Sequence, residues 1–120
     1  MGENFARYQN ENSFTEFLTR IGVGATQVAH LRDDEFTTMM DLIEFFQFST
    51  INEITKFFYD INKAYATAGR RELRVKFPSR VILRLSGVIW YFAQCIYTFH
   101  TVPDLHSITG PQATSLGTLA

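Results

Sequence analysis

Apolar residues return every three or four positions through much of the chain, the period of a helix with one buried face. Phe14, Phe17, Leu18 and Ile21 form the first such stripe. Ser13-Phe14-Thr15-Glu16 leads into it with the capping-box pattern, in which a hydroxyl accepts a backbone N–H and the Glu reaches back. The pattern predicts a helix that opens at Ser13 and stops at Gly22, because glycine accepts the left-handed geometry of a helix end. A second helix is predicted over 25–32, with Val28 and Leu31 inward. Thr37 or Thr38 then caps a third, whose apolar face is Met39, Leu42, Ile43 and Phe46. Thr50-Ile51-Asn52-Glu53 is another capping box and opens a fourth helix to about residue 68, with Gly69 as its stop.

From Glu72 to Phe77 the chain alternates, which predicts an extended connector with one buried face. Pro78 and Ser79 start the fifth and longest helix, 79–99. Its second half is apolar nearly all round, so it lies at the centre of the core or is shared with a partner. Residues 1–12 are polar and rich in Asn, and are expected to be a flexible arm. Residues 101–120 turn to Pro, Gly, Ser and Thr without periodicity, and are expected to be a flexible tail. The expected architecture is therefore all-α: one five-helix domain over 13–100 with a long C-terminal helix.

A chain of 120 residues holds one core. With 46% hydrophobic and 15% aromatic residues it is not disordered throughout, and a net charge of −1 excludes a wholly basic coat. The charges are unevenly placed. Residues 1–60 carry four basic and ten acidic side chains, and residues 61–120 carry seven and two. Six of those seven are Arg70, Arg71, Arg74, Lys76, Arg80 and Arg84. Such an edge either contacts phosphate or meets the acidic half of the same or another copy.

Candidate chemistry is sparse. His30, His100 and His106 lie far apart with no thiol or carboxylate at ligand spacing, so no metal is expected. Cys95, the single cysteine, sits in an apolar helix and reads as an inert thiol. Asp33, Asp34, Glu35, Asp41 and Glu44 match no calcium loop and read as a solvated helix start. Neither phosphate-loop nor dinucleotide glycine spacing occurs. No cofactor and no enzymatic activity are expected. A free cysteine, and an N-terminus with neither a basic lead nor an apolar run, point to the cytoplasm or nucleus. Leu85 to Phe99, about 15 apolar residues, falls short of the roughly 20 that span a bilayer, so no membrane partner is expected. The Phe45-Phe46-Phe48 and Phe57-Phe58-Tyr59 runs exceed what one helix face buries, and the remainder is predicted to form an association surface.

Two stretches carry a resemblance. Leu18 to Leu31, with Gly22-Val23-Gly24 between two helices, resembles a helix-hairpin-helix motif. Leu31-Arg32-Asp33-Asp34-Glu35-Phe36-Thr37-Thr38 and the helix after it are similar to the turn-and-cap pattern of compact SAM-like domains. From Ser13 to Phe99 the arrangement resembles SAM-like domains of diatoms and other marine algae, many of them retroelement-associated. Ile61-Asn62-Lys63, Val75-Lys76-Phe77 and Arg84-Leu85 stand in the matching places. In that group an aromatic pair has Trp second, whereas here Trp90 precedes Tyr91. Further basic residues usually follow, whereas here none follows Arg84.

Two functions follow as expectations. One is a non-enzymatic interaction module, a homo-oligomer or the binder of another protein, using Val88, Trp90, Tyr91, Phe92, Ile96 and Phe99. The alternative is a sequence-independent module that binds the DNA or RNA phosphate backbone. It would use Gly22, Val23 and Gly24 with the basic edge Arg70, Arg71, Arg74, Lys76, Arg80 and Arg84, because glycines let backbone N–H groups approach phosphate. A small enzyme ranks last.

Overall fold

Seven α-helices, one π turn and one 3₁₀ turn are found among the described residues, and no strand. The computed structural model describes residues 2–67 and 77–119. The predicted connector over 72–76 lies outside the described residues, as do Arg70, Arg71, Arg74 and Lys76. The helices are α1 (Gly2–Tyr8), α2 (Glu11–Arg20), α3 (Ala25–Asp33), α4 (Met39–Phe45), α5 (Ile51–Thr67), α6 (Ser79–Ala93) and α7 (Gly110–Gly117). The five expected helices correspond to α2–α6, and the all-α expectation holds. α1 and α7 are additions, in the two segments expected to be flexible.

Local chemistry explains the boundaries. Asn10, not Ser13, caps α2: its side chain accepts the Ser13 N–H at 2.9 Å. Gly22 ends α2 at φ +95°, with the Val23 N–H on the Leu18 carbonyl and the Gly22 N–H on the Thr19 carbonyl, a Schellman closure. The same closure ends α3, where Phe36 N–H reaches the Leu31 carbonyl. There the left-handed position is held by Glu35 at φ 71°, without glycine's freedom. Thr38 and Thr50 both make reciprocal boxes, with Asp41 and Glu53.

The core is built around α6. Ile82, Leu85, Val88, Ile89 and Phe92 are fully buried, together with Phe14, Leu18, Leu42, Ile54 and Phe58 from other helices. Phe77 enters from the connector's end, 1% exposed. Asn62 on α5 holds it through both backbone groups, accepting its N–H at 2.8 Å and donating to its carbonyl at 2.9 Å. α6 with the π turn Gln94–Thr98 makes a run of 20 residues that is long and apolar enough to cross a membrane by length and composition. Here 56% of its most apolar 18-residue stretch is buried inside the fold.

Both predicted flexible ends are corrected by the structure. Tyr8 of α1 is fully buried, edge-on to Phe92, and donates to the Pro103 carbonyl at 2.7 Å. Burial raises its phenol well above the usual tyrosine range, so it stays a donor. The 101–120 segment is held by Arg7 to Asp104 at 3.0 Å, and by Arg20 donating to the Leu105 and Ile108 carbonyls. It then forms α7, opened by a Thr109–Gln112 capping box with Pro111 in the first turn. α7 lies backbone against backbone on α6. An added Cβ on Gly87 would stand 2.3 Å from the Gly117 nitrogen.

Candidate functional site

The hairpin forms as the sequence predicts, but its surroundings serve the fold. Val23 is buried, while Gly22 and Gly24 are exposed. Arg84, counted with the basic edge, reaches the hairpin from α6. Its Nη1 donates to the Ile21 carbonyl at 2.7 Å and its Nε donates to Thr114 at 2.8 Å. A Cβ on Gly22 would meet that guanidinium at 2.6 Å, and one on Gly110 would meet it at 3.1 Å. Arg84 therefore ties the end of α2 to α7. The flanking arginines are engaged in the same way: Arg20 on the 105–108 turn, and Arg32 on Glu11 and Thr15. Of the expected basic edge, Arg80 is the described member that is exposed.

The expected association residues divide. Val88 and Phe92 are fully buried inside the chain's own fold, which removes them from any contact surface. The physical reason is tertiary: Tyr8 and Phe17 pack on the Phe92 ring, and α4, α5 and α7 all lie against α6. Trp90, Tyr91 and Ile96 are half-buried, and Phe99 is 68% exposed. The Phe-rich runs also leave a remainder outside: Phe45, Phe48 and Tyr59. Phe45 leans on Phe36, Phe46 and Phe57, whereas Phe48 stands 90% exposed in the turn between α4 and α5.

The titratable groups do not converge. Among the described residues no three His, Cys, Asp or Glu side chains could hold a metal ion. His30 is buried edge-on to Phe77, its Nε2 3.1 Å from Asp34 Oδ2. Cys95 is buried beside Tyr91, and their hydrogen bond, with burial, raises the Tyr91 phenol. Burial also acts on Asp41, but the N–H groups of Thr37 and Thr38 and their hydroxyls outweigh it and lower its carboxyl. These are capping and packing roles.

What the fold does assemble is an uncharged, aromatic face. Along one side of α6 run three neighbouring clefts. The first, about 520 Å³, lies between Tyr91 and α7, with Ile108, Leu116 and Leu119 in its wall. A small one of about 170 Å³ joins Leu119 to Trp90. The third, about 370 Å³, runs from Trp90 past Tyr97 to Phe48. None of the residues lining these clefts is acidic, basic or histidine. Glu44 and His100 enter in the next cleft along, beyond Tyr97. The sequence carried this signal: every Asp, Glu, Lys and Arg except Asp104 precedes Leu85. Only the folding of α7 beside Trp90 and Tyr91 turns that depletion into a surface.

The π turn contributes to the same face. Its wider winding, with the Phe99 N–H on the Gln94 carbonyl at 3.1 Å, resets the register after Ala93. Gln94, Tyr97 and Thr98 share one cleft wall with Trp90, at the spacing that one helix face presents. Comparison with family models, with curated proteins and with solved structures gives no match for this chain.

Proposed function

We propose that this chain is a non-enzymatic helical interaction module that binds protein through the uncharged face around Trp90. The observation that carries the reading is that face. Interface centres are depleted of charge and enriched in Trp, Tyr and Phe, and their rims are polar. Here Trp90, Tyr91, Tyr97 and Phe48 line clefts with no charged lining residue, while Glu53 at the Thr50 cap and Glu44 beyond Tyr97 stand at the rim. Phe48 at 90% and Leu119 at 63% exposure are apolar groups that gain from being covered. The resemblance to SAM-like domains accords with this reading but does not select it, because such domains serve protein and nucleic-acid binding alike.

Phosphate binding at the Gly22–Gly24 hairpin is less well supported, because Arg84, Arg20 and Arg32 already spend donors on internal carbonyls and hydroxyls. The test is solution mass across protein concentration, at low and moderate salt, with and without a short duplex. The reading expects association that grows with concentration and ignores the duplex. A monomer that binds duplex at low salt and releases it at higher salt would replace it with the phosphate-backbone reading.

A further inference from the structure

We infer that the cleft beyond Tyr97, where α1, α4, the π turn and the 100–102 segment meet, is a binding site for a small primary alkylammonium ligand. The inference goes beyond the interaction reading and does not depend on it. Tyr97 is the one residue that lines both this cleft and the uncharged face.

The cleft holds about 360 Å³, within the roughly 300–1,000 Å³ of small-molecule sites. Its wall comes from four separate stretches. Met40 and Glu44 stand one turn apart on the same face of α4. Ile96 and Tyr97 belong to the π turn, Phe5 to α1, and Val102 to the segment after the π turn. His100 joins them because of how the π turn ends. The Phe99 N–H reaches the Gln94 carbonyl and the Thr101 N–H reaches the Cys95 carbonyl at 2.8 Å, which leaves His100 left-handed at φ 54°. Glycine makes such a closure without strain. Here the strained position carries an imidazole on the wall of a cleft, and strain of this kind clusters at ligand clamps.

The cleft is thus an apolar hollow with three polar groups around it: the Glu44 carboxylate, the Tyr97 phenol and the His100 imidazole. Among the described residues, none of these three side chains has a hydrogen-bond or ion-pair partner. Glu44 still acts on its neighbour, since burial and then the carboxylate's charge raise the Tyr97 phenol. No Lys or Arg lines the cleft, so the one fixed charge there is negative. An anionic ligand would find no counter-charge. A metal ion would exchange its water for one carboxylate and apolar walls, at a large desolvation cost. An ammonium group fits. The carboxylate gives it a charge-assisted bond, the phenol oxygen and a neutral imidazole nitrogen accept its other N–H groups, and the Tyr97 and Phe5 rings attract a cation. A short alkyl chain then covers Met40, Ile96 and Val102.

The experiment titrates the full chain with hexylammonium, hexanol and hexanoate and follows its amides by heteronuclear NMR. Hexylammonium should move the amides of 40–44 and 96–102, with hexanol about tenfold weaker and hexanoate without effect. Glu44 is exposed, so Glu44→Gln keeps the fold, and it should weaken hexylammonium by about tenfold, the loss of one charge-assisted hydrogen bond. His100→Gly should also weaken the ligand while the melting temperature of the free chain rises, a split that a purely structural His100 would not give. Hexylammonium that leaves 96–102 unmoved at millimolar concentration, hexanoate that binds as well, or native affinity in Glu44→Gln would each overturn the inference. None of these results bears on association through the uncharged face.

Discussion

Gly87→Ala should destabilise this protein, against the ordinary rule for a glycine in the middle of a helix. That rule gives a gain of about 1 kcal/mol, because alanine has the better helix propensity. Gly87 lies inside α6, but its Cα faces α7. The added Cβ would stand 2.3 Å from the Gly117 nitrogen, and 2.8 Å from both Gly117 Cα and the Leu116 carbonyl carbon. Ordinary contact begins near 3.4 Å, so α7 must retreat by about 1 Å. Gly117 allows no relief, since its own Cβ position would meet the Leu83 carbonyl oxygen at 2.2 Å. A retreat of that size opens the packing around Ala113, which is fully buried, and Ile108. Overpacking of this kind costs about 1–3 kcal/mol and more where backbone must move. Two adjoining backbones place this site at the upper end. The net expectation is a loss of about 1–2 kcal/mol, or roughly 4–8 °C in Tm for a domain of this size. Thermal unfolding followed by far-UV circular dichroism reads the loss, and amide exchange should quicken selectively over 110–119. A raised Tm, with protection of 110–119 unchanged, would refute the packing of α7 on α6.

Three further outcomes are expected. Asn62→Ala should cost about 2–3 kcal/mol in urea unfolding, because it leaves the buried N–H and carbonyl of Phe77 without partners at 2.8 and 2.9 Å. Glu35→Gly should stabilise by about 0.5–1 kcal/mol, since φ 71° strains a side chain but not glycine, and a fall in Tm would contradict the closure described for α3. Asp41 has its carboxyl lowered in the folded state, so the unfolded chain binds the proton more readily. Its contribution is present above the ordinary carboxylate value near 4 and is lost as pH falls through the lower folded value, so Asp41→Asn should be less stable at pH 7 and the difference should shrink steadily as the solution is acidified below that ordinary value.

The sequence was most legible where a local rule and the core agreed. Thr38, Thr50 and Gly22 punctuate helices in the predicted places because capping and left-handed geometry are short-range effects. Asn10 won over Ser13 because several capping side chains crowd residues 10–13, and a helix begun at Glu11 turns the Ser13 N–H into a donor for the Asn10 side chain. The tail was misread for a different reason. Its composition is that of a loop, yet Thr109-Gly110-Pro111-Gln112 is the same kind of box read correctly at Thr50. α7 survives its poor propensity because Gly117 and Ala113 let it close onto α6, a contact no window along the chain reveals. For the candidate site, Trp90 and Tyr91 were legible as excess apolar surface, whereas Ile96 opens on the neighbouring cleft with Glu44 and His100. Val88 and Phe92 were not separable from Trp90 and Tyr91, because the helices packed around α6, α7 among them, decide which of its faces is covered. Arg84 looked like part of a cationic edge, and only the three-dimensional fold shows it spanning Ile21 and Thr114.

The central claim is that the uncharged face around Trp90 is the working surface. Its most direct test is amide exchange of the full chain at low and high concentration, with a duplex arm at low salt. The account predicts that raising the concentration slows exchange at the edges of the face, in the 47–52 turn, the 94–98 π turn and the end of α7. The Gly22–Gly24 hairpin should be unchanged in every arm. Protection that appears at 22–26 and around Arg80 on adding duplex, with the face unaltered at any concentration, would contradict it.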